Sequence, residues 1–230
     1  MNRITFDNLP STSTYLREND LPIGTLVRAH TQSAGRGRRG NGFSSEAGGL
    51  YFSLSLPRSM PDAEMWAVTF MAANALCDTL EQYGARPKVK WVNDIYINER
   101  KVCGILCEVM ADRLILGIGV NVENDLPAEL AESATTLRAE GVEVKADALL
   151  DGIVSSLHGY IDGWDIPEAL KRYRSRCMLT GRQITYTENG VRRTATAVGI
   201  ADNGNLICTR DGNTFTLHSG EVFAVRSTAK

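Results

Sequence analysis

Three arginines and three glycines fall within the nine residues "QSAGRGRRG", Gln32 to Gly40. A guanidinium is a planar fork that pairs with carboxylate or phosphate, and glycine lets a backbone close over a ligand. Gly35, Gly37 and Gly40 also spell G-x-G-x-x-G, the dinucleotide fingerprint. That fingerprint needs a following helix whose N-terminus receives a pyrophosphate. Here the chain continues "NGFSSEAGG", with more glycine and no helical period, and no G-x-x-x-x-G-K-[ST] occurs anywhere. The segment therefore reads as a loop able to fold onto an anion. A solvated basic turn and an Arg-Gly arm touching nucleic acid are the alternatives.

Other residues could share that chemistry. Ser11 to Thr14 place hydroxyls at the start of a short helix, where free backbone N–H groups also favour anions. Lys90 precedes the turn residues Asn93 and Asp94, which are equally suited to shaping a turn. Trp91 reads as core packing. The cysteines, Cys77, Cys103, Cys107, Cys177 and Cys208, lack paired spacing and sit among apolar neighbours, so reduced, buried thiols are expected. Cys103 and Cys107 find no second cysteine pair and only scattered histidines, and no metal site is assigned.

These residues need a scaffold. "GTLVRAHT" predicts a buried strand ending at Thr31, and "GLYFSLSLP" a strand that Pro57 ends. A core-facing helix is expected from Pro61 until Gly84, with apolar positions from Met65 to Leu80 at helical spacing. Residues 88–122 are β-rich runs broken by turn signals, which fits an antiparallel meander of about four strands. Helices follow at about 146–164 and 167–176. From Thr180 short strands alternate with Asn-Gly and Asp-Gly turns, the pattern of a small β-barrel. The expected division is 1–179 and 180–230, with the boundary near Met178 to Gly181.

At 230 residues, 43% hydrophobic and 23% charged, the chain has the composition of an ordinary globular protein. Its 25 Lys and Arg against 27 Asp and Glu give a net charge of −2, so any nucleic acid or other anion is met locally rather than through a domain-wide field. The opening lacks a charged leader with an apolar run, and no later stretch is long and uncharged enough to span a membrane. A cytoplasmic location is expected.

Four segments occur in order: "STSTYL" from Ser11, "QSAGRGRRG" from Gln32, "KWVNDIYINERKVCGILCE" from Lys90 to Glu108, and "GIGVNV" from Gly117. Together they resemble the catalytic domain of the biotin protein ligases, also called holocarboxylase synthetases. The C-terminal segment with "SGEV" at Ser219 resembles that family's small terminal domain. The resemblance implies an α+β fold: a mixed, largely antiparallel central sheet flanked by helices, of the class II aminoacyl-tRNA synthetase-like type, with a small Src-homology-3-like barrel. It implies an enzyme that uses Mg2+ and ATP to convert biotin to biotinyl-5'-AMP and passes biotin to a lysine of a biotin carboxyl carrier protein.

Carried over by residue, the resemblance implies biotin contacts at Ser11, Thr12, Ser13, Gln32, Gly35, Arg36, Gly37, Arg38, Lys90 and Gly104. Nucleotide contacts are implied at Arg36, Arg38, Arg39, Phe43, Asn93, Asp94, Lys101 and Asn121. Lys90 is the implied principal catalytic cation, with Arg38 beside it. For Arg39 a solvated loop position is the competing reading. Gly104, Gly117 and Gly119 are expected to let ligand pass close to the backbone.

The chain departs from the family pattern in two places. Val92 stands where K-W-P-N-D has proline, and Asn41 and Phe43 stand where R-x-W is common. Phe43 still offers a ring to stack on adenine. Only ten residues precede Ser11, so a ligase without a helix-turn-helix module and without a DNA partner is expected, as a monomer or weak dimer. A lipoate or octanoate ligase and a non-catalytic nucleic-acid-binding module are the competing functions; relatives of the first lack the glycine-arginine run.

Overall fold

The structure, a computed structural model, describes residues 1–188, 190–218 and 222–224. Seven strands form the main sheet: β1 (Asn2–Leu9), β2 (Thr25–Gln32), β3 (Leu50–Pro57), β4 (Lys88–Lys90), β5 (Asp94–Ile97), β6 (Arg100–Val109) and β7 (Arg113–Val120). Their order is β1-β2-β3-β7-β6-β5-β4. Only β1 and β2 run parallel, and the meander expected over 88–122 is β4 to β7.

Strand alternation creates two unlike faces. Leu50, Phe52, Leu54 and Leu56 of β3, with Leu114, Leu116, Ile118 and Val120 of β7, enter the principal core. Helices α2 (Trp66–Gln82) and α3 (Ala146–Ile161) supply its other wall. Helix α2 is buried nearly all round, because α4 (Ile166–Arg176) adds Ala169 against Ala67 and Met71. On the opposite face Leu9, Val27, Ala29 and Ile115 pack under Leu16 of α1 (Thr12–Glu18). Beyond α1 that face has Gly117 and Gly119 where alternation would place side chains, and a cavity opens over them.

The second sheet is five-stranded and antiparallel, ordered β11-β10-β9-β8-β12. Its strands are β8 (Gln183–Glu188), β9 (Val191–Ile200), β10 (Leu206–Arg210), β11 (Asn213–Leu217) and β12 (Val222–Ala224). This small antiparallel unit fits the barrel read from the turn pattern. Its inward residues Ile184, Tyr186, Ala197 and Leu206 join the principal core. Polar ties hold it in place: Trp91 Nε1 donates to the Gly204 carbonyl at 2.9 Å, and Arg174 Nε to that of Ile200 at 2.9 Å. Ser219, Gly220 and Glu221 of the SGEV segment lie outside the described residues.

Three elements differ from the sequence reading. Strand β1 is unanticipated: it is an edge strand, and its residues are mostly exposed or half-buried. The helix expected from Pro61 begins instead as a 3-10 turn, Asp62–Glu64, and becomes α-helical at Trp66. The later helices end and restart earlier than expected, at Ile161 and Ile166, because Asp165 caps α4 by accepting the Glu168 N–H at 3.0 Å. No helix of the described residues is long and apolar enough to cross a membrane.

Candidate active site

Hydroxyl groups line one end of the cavity. Ser11 is the N-cap of α1, its Oγ accepting the Thr14 N–H at 3.4 Å, and this turns Thr12 and Ser13 onto the sheet. Thr12 Oγ1 lies 2.8 Å and Ser13 Oγ 2.9 Å from Ser53 Oγ. Gln32 ties the helix start to the arginine segment: its Oε1 accepts from Thr12 N at 2.9 Å, and its Nε2 donates to Ser45 Oγ at 2.8 Å. Ser53 escaped sequence reading, though the alternating serines of "LYFSLSL" were its signal.

The arginine segment is a short hairpin rather than an open loop. Phe43 N donates to Gly35 O at 2.9 Å and Gly37 N to Asn41 O at 2.7 Å. At its tip Arg39 and Gly40 both take positive φ, 57° and 78°. Gly35 does not line the cavity. A Cβ there would lie 2.3 Å from the Phe43 carbonyl oxygen, so this glycine serves closure of the hairpin.

The hairpin is tied down on both sides. Arg38 Nη1 donates to Asn93 Oδ1 at 3.2 Å, and Asn93 Nδ2 donates to Ile105 O at 2.8 Å. Arg36 Nη1 lies 3.0 Å from Glu108 Oε1. Lys90 Nζ donates to Tyr96 Oη at 3.3 Å, and Lys101 Nζ pairs with Asp94 at 2.8 Å. Tyr173 Oη donates to Val92 O at 3.0 Å, which fixes the turn that follows Lys90. The Trp91–Val92 peptide is cis.

The glycines of β6 and β7 make room for side chains of this same chain. A Cβ on Gly119 would lie 2.6 Å from the Phe43 ring, one on Gly104 3.0 Å from it, and one on Gly117 2.6 Å from Ser13 Oγ. Phe43 and Ser13 lie against these glycines, which themselves line the cavity. Lys101 Nζ sits 5.7 Å from the centre of the Phe43 ring.

The cavity, of about 200 Å³, thus collects Ser11, Thr12, Ser13, Gln32, Arg36, Gly37, Arg38, Arg39, Phe43, Lys90, Asn93, Asp94, Lys101 and Gly104. Asn121 stays outside. It is buried, donating to Thr135 O at 3.2 Å and accepting from Asn124 at 3.4 Å, so it supports the 121–135 connection. Leu106 and Val222 line the cavity unforeseen; Leu106 was legible as the position two beyond Gly104 on one strand face. Trp91 is buried as expected.

Five cationic residues, Arg36, Arg38, Arg39, Lys90 and Lys101, line the cavity against one described carboxylate, Asp94. In a chain of net charge −2 this is a strong local concentration of positive charge. Burial, then the neighbouring charge of Arg39, lowers the pKa of Arg38, with Asp94 pulling the other way. Arg38 remains a cation at neutral pH, but one whose charge an arriving anion would stabilise. Among the described residues no group of three His, Cys, Asp or Glu converges as a metal site.

Hydroxyls, cations and glycines thus share one cavity. Residues 5–125 match the model of the biotin/lipoate A/B protein ligase family.

The chain belongs to that family.

Among curated members of the family it is 38% identical over 150 residues to the bifunctional ligase/repressor BirA of Bacillus subtilis, a match covering 60% of this chain and 46% of that protein. The chain thus spans about half the length of that relative. It is 29% identical over 216 residues to the biotin–[acetyl-CoA-carboxylase] ligase of Mycobacterium tuberculosis, covering 88% and 80% respectively. Among solved structures, the biotin protein ligase of Aquifex aeolicus in complex with biotin and ATP superposes with a TM-score of 0.85 at 28% identity, covering 98% of this chain and 99% of that one.

Proposed function

We propose that the chain is a biotin protein ligase. A biotin carboxylate oxygen attacks the α-phosphorus of ATP, the bond to the bridging oxygen breaks, and pyrophosphate leaves with that electron pair. A lysine amine of a biotin carboxyl carrier protein then attacks the acyl carbon of biotinyl-5'-AMP. AMP departs, the amine loses a proton and an amide remains.

The observation that carries this reading is the crowding of five cations above a hydroxyl-lined, glycine-floored cavity. Bringing a carboxylate against a polyphosphate requires fixed positive charge to offset their repulsion. Lys90, which lines the cavity, is the proposed catalytic cation, with Arg38 as its partner. Ser11, Thr12, Ser13 and Gln32 are assigned to the biotin end; Arg39, Phe43, Asn93, Asp94 and Lys101 to the nucleotide. Asp94 already holds Lys101, so the described residues offer no protein cage for a metal. Magnesium enters as part of the Mg-ATP substrate. The hairpin, folded over the cavity, would shield the mixed anhydride from water.

The proposed catalytic unit is 1–179 and the proposed barrel unit 180–230; the cytoplasm, which supplies ATP, is the proposed location. Incubation with biotin, Mg-ATP and a carrier domain tests the reading. A mass gain of one biotinyl group on a single carrier lysine is expected, and no gain with biotin but a gain with lipoate would replace it.

A further inference from the structure

Glu108 stands at the end of β6, outside the set of residues assigned to ligand. Its side chain is only 19% exposed and meets two cations from different segments. Arg36 Nη1 of the hairpin lies 3.0 Å from Oε1 and 3.2 Å from Oε2, and Arg17 Nη1 of α1 lies 3.7 Å from Oε1. Arg17 is on the helix that carries Thr12 and Ser13. One carboxylate therefore links the segment bearing the hydroxyls to the segment bearing the arginines.

The second tie of the hairpin, Arg38 to Asn93, ends on the same strand, through Asn93 Nδ2 to Ile105 O at 2.8 Å and Ile105 N to Asn93 O at 2.9 Å. Arg36 and Gly42 form the bridge at the waist of the hairpin. Glu108 thus holds the waist and Asn93 the tip. Without the first, the hairpin keeps its internal hydrogen bonds but loses its charged contact with the sheet and with α1.

We propose that Glu108 is a positioning residue that latches the arginine hairpin over the cavity and couples its closure to the placement of α1. It touches neither substrate nor reacting atoms; it acts through Arg36 and Arg17. Its consequence, retention of the adenylate, rests on the ligase reading. The latch itself does not.

The test separates the two. Hydrogen exchange at the Gly37, Asn41 and Phe43 amides is measured without ligand in the unaltered chain, in Glu108→Gln and in Glu108→Asp. Loss of one partly exposed ion pair should speed exchange at these amides about fivefold in Glu108→Gln. Glu108→Asp, which keeps the charge, should show a smaller rise, and the amides shared by β3 and β7 should be unmoved. Unchanged exchange in the hairpin overturns the latch, as does a rise spread equally over the main sheet. Where the unaltered chain makes biotinyl-5'-AMP, its escape, followed by labelling of lysines on a bystander protein, should also be about fivefold faster in Glu108→Gln. A chain that makes no adenylate defeats the ligase reading and leaves the exchange result to decide the latch.

Discussion

Replacing Gly117 by alanine tests the cavity floor with a single methyl group. The new Cβ would lie 2.6 Å from Ser13 Oγ and 3.3 Å from Ser53 Oγ. Ordinary contact begins at 3.4 Å, so the Ser13 hydroxyl must retreat by 3.4 − 2.6 = 0.8 Å. It has little room: Ser13 is hydrogen-bonded to Ser53 at 2.9 Å, and Thr12, its neighbour, to the same oxygen at 2.8 Å. Gly117 does not have positive φ, so backbone strain adds nothing and the cost is one of packing. Overpacking of this kind costs about 1–3 kcal/mol, and at the middle of that range biotin binding should weaken by about thirtyfold. Titration calorimetry with biotin, with ATP affinity measured in parallel, reads the effect. Gly119→Ala is the partner experiment, because its Cβ would lie 2.6 Å from the Phe43 ring instead. It should weaken ATP more than biotin. Equal effects of both variants on both ligands, or a Gly117→Ala protein with unchanged biotin affinity, would refute the assignment of the two cavity ends.

Further outcomes are expected elsewhere in the molecule. Lys90→Ala should reduce adenylate formation by about a hundredfold or more, as loss of a transition-state charge partner does, while circular dichroism stays native. Arg38→Ala should leave the fold intact and speed escape of the adenylate; unchanged release and unchanged biotin affinity would argue against the hairpin as a cover. Trp91→Phe removes the donor to the buried Gly204 carbonyl and should lower urea stability by about 1–2 kcal/mol; no loss would mean the contact with the second sheet is dispensable. Burial pushes the thiols of Cys77 and Cys107 up to about 12 and that of Cys208 to about 11, from an ordinary 9.0. Above pH 9 the unfolded chain therefore holds fewer protons on these thiols than the folded one, and their contribution to stability should be full below pH 9 and fall steadily as pH rises toward 12. A melting temperature flat over that window would contradict the burial.

The parts of the fold that were legible are those where a repeat or a turn signal has one meaning. The meander from Lys88 to Val122 is marked by Asn-Asp and Asn-Glu turns, and α2 by a long apolar period. Strand β1 carries only a short such mark, Ile4 and Phe6 half-buried on one face, because an edge strand leaves most of its other residues exposed. At the site, residue types revealed the cations and hydroxyls, since few other purposes gather three arginines among glycines. They did not reveal that Gly35, Gly117 and Gly119 accommodate the chain's own atoms, which depends on how distant strands align. Asn121, beside a glycine-rich strand end, reads as a contact residue; that its amide is bonded to Thr135 and Asn124 depends on a connection distant in sequence. Glu108 could not be separated from other surface carboxylates until Arg17 and Arg36, distant in sequence, met on it.

Pyrophosphate release from Mg-ATP by the purified protein, measured with biotin, with lipoate and with neither acid, tests the central claim most directly. Release that requires biotin, and is not elicited by lipoate, is the predicted result. Release with lipoate alone, or none with either acid from folded protein, would contradict it.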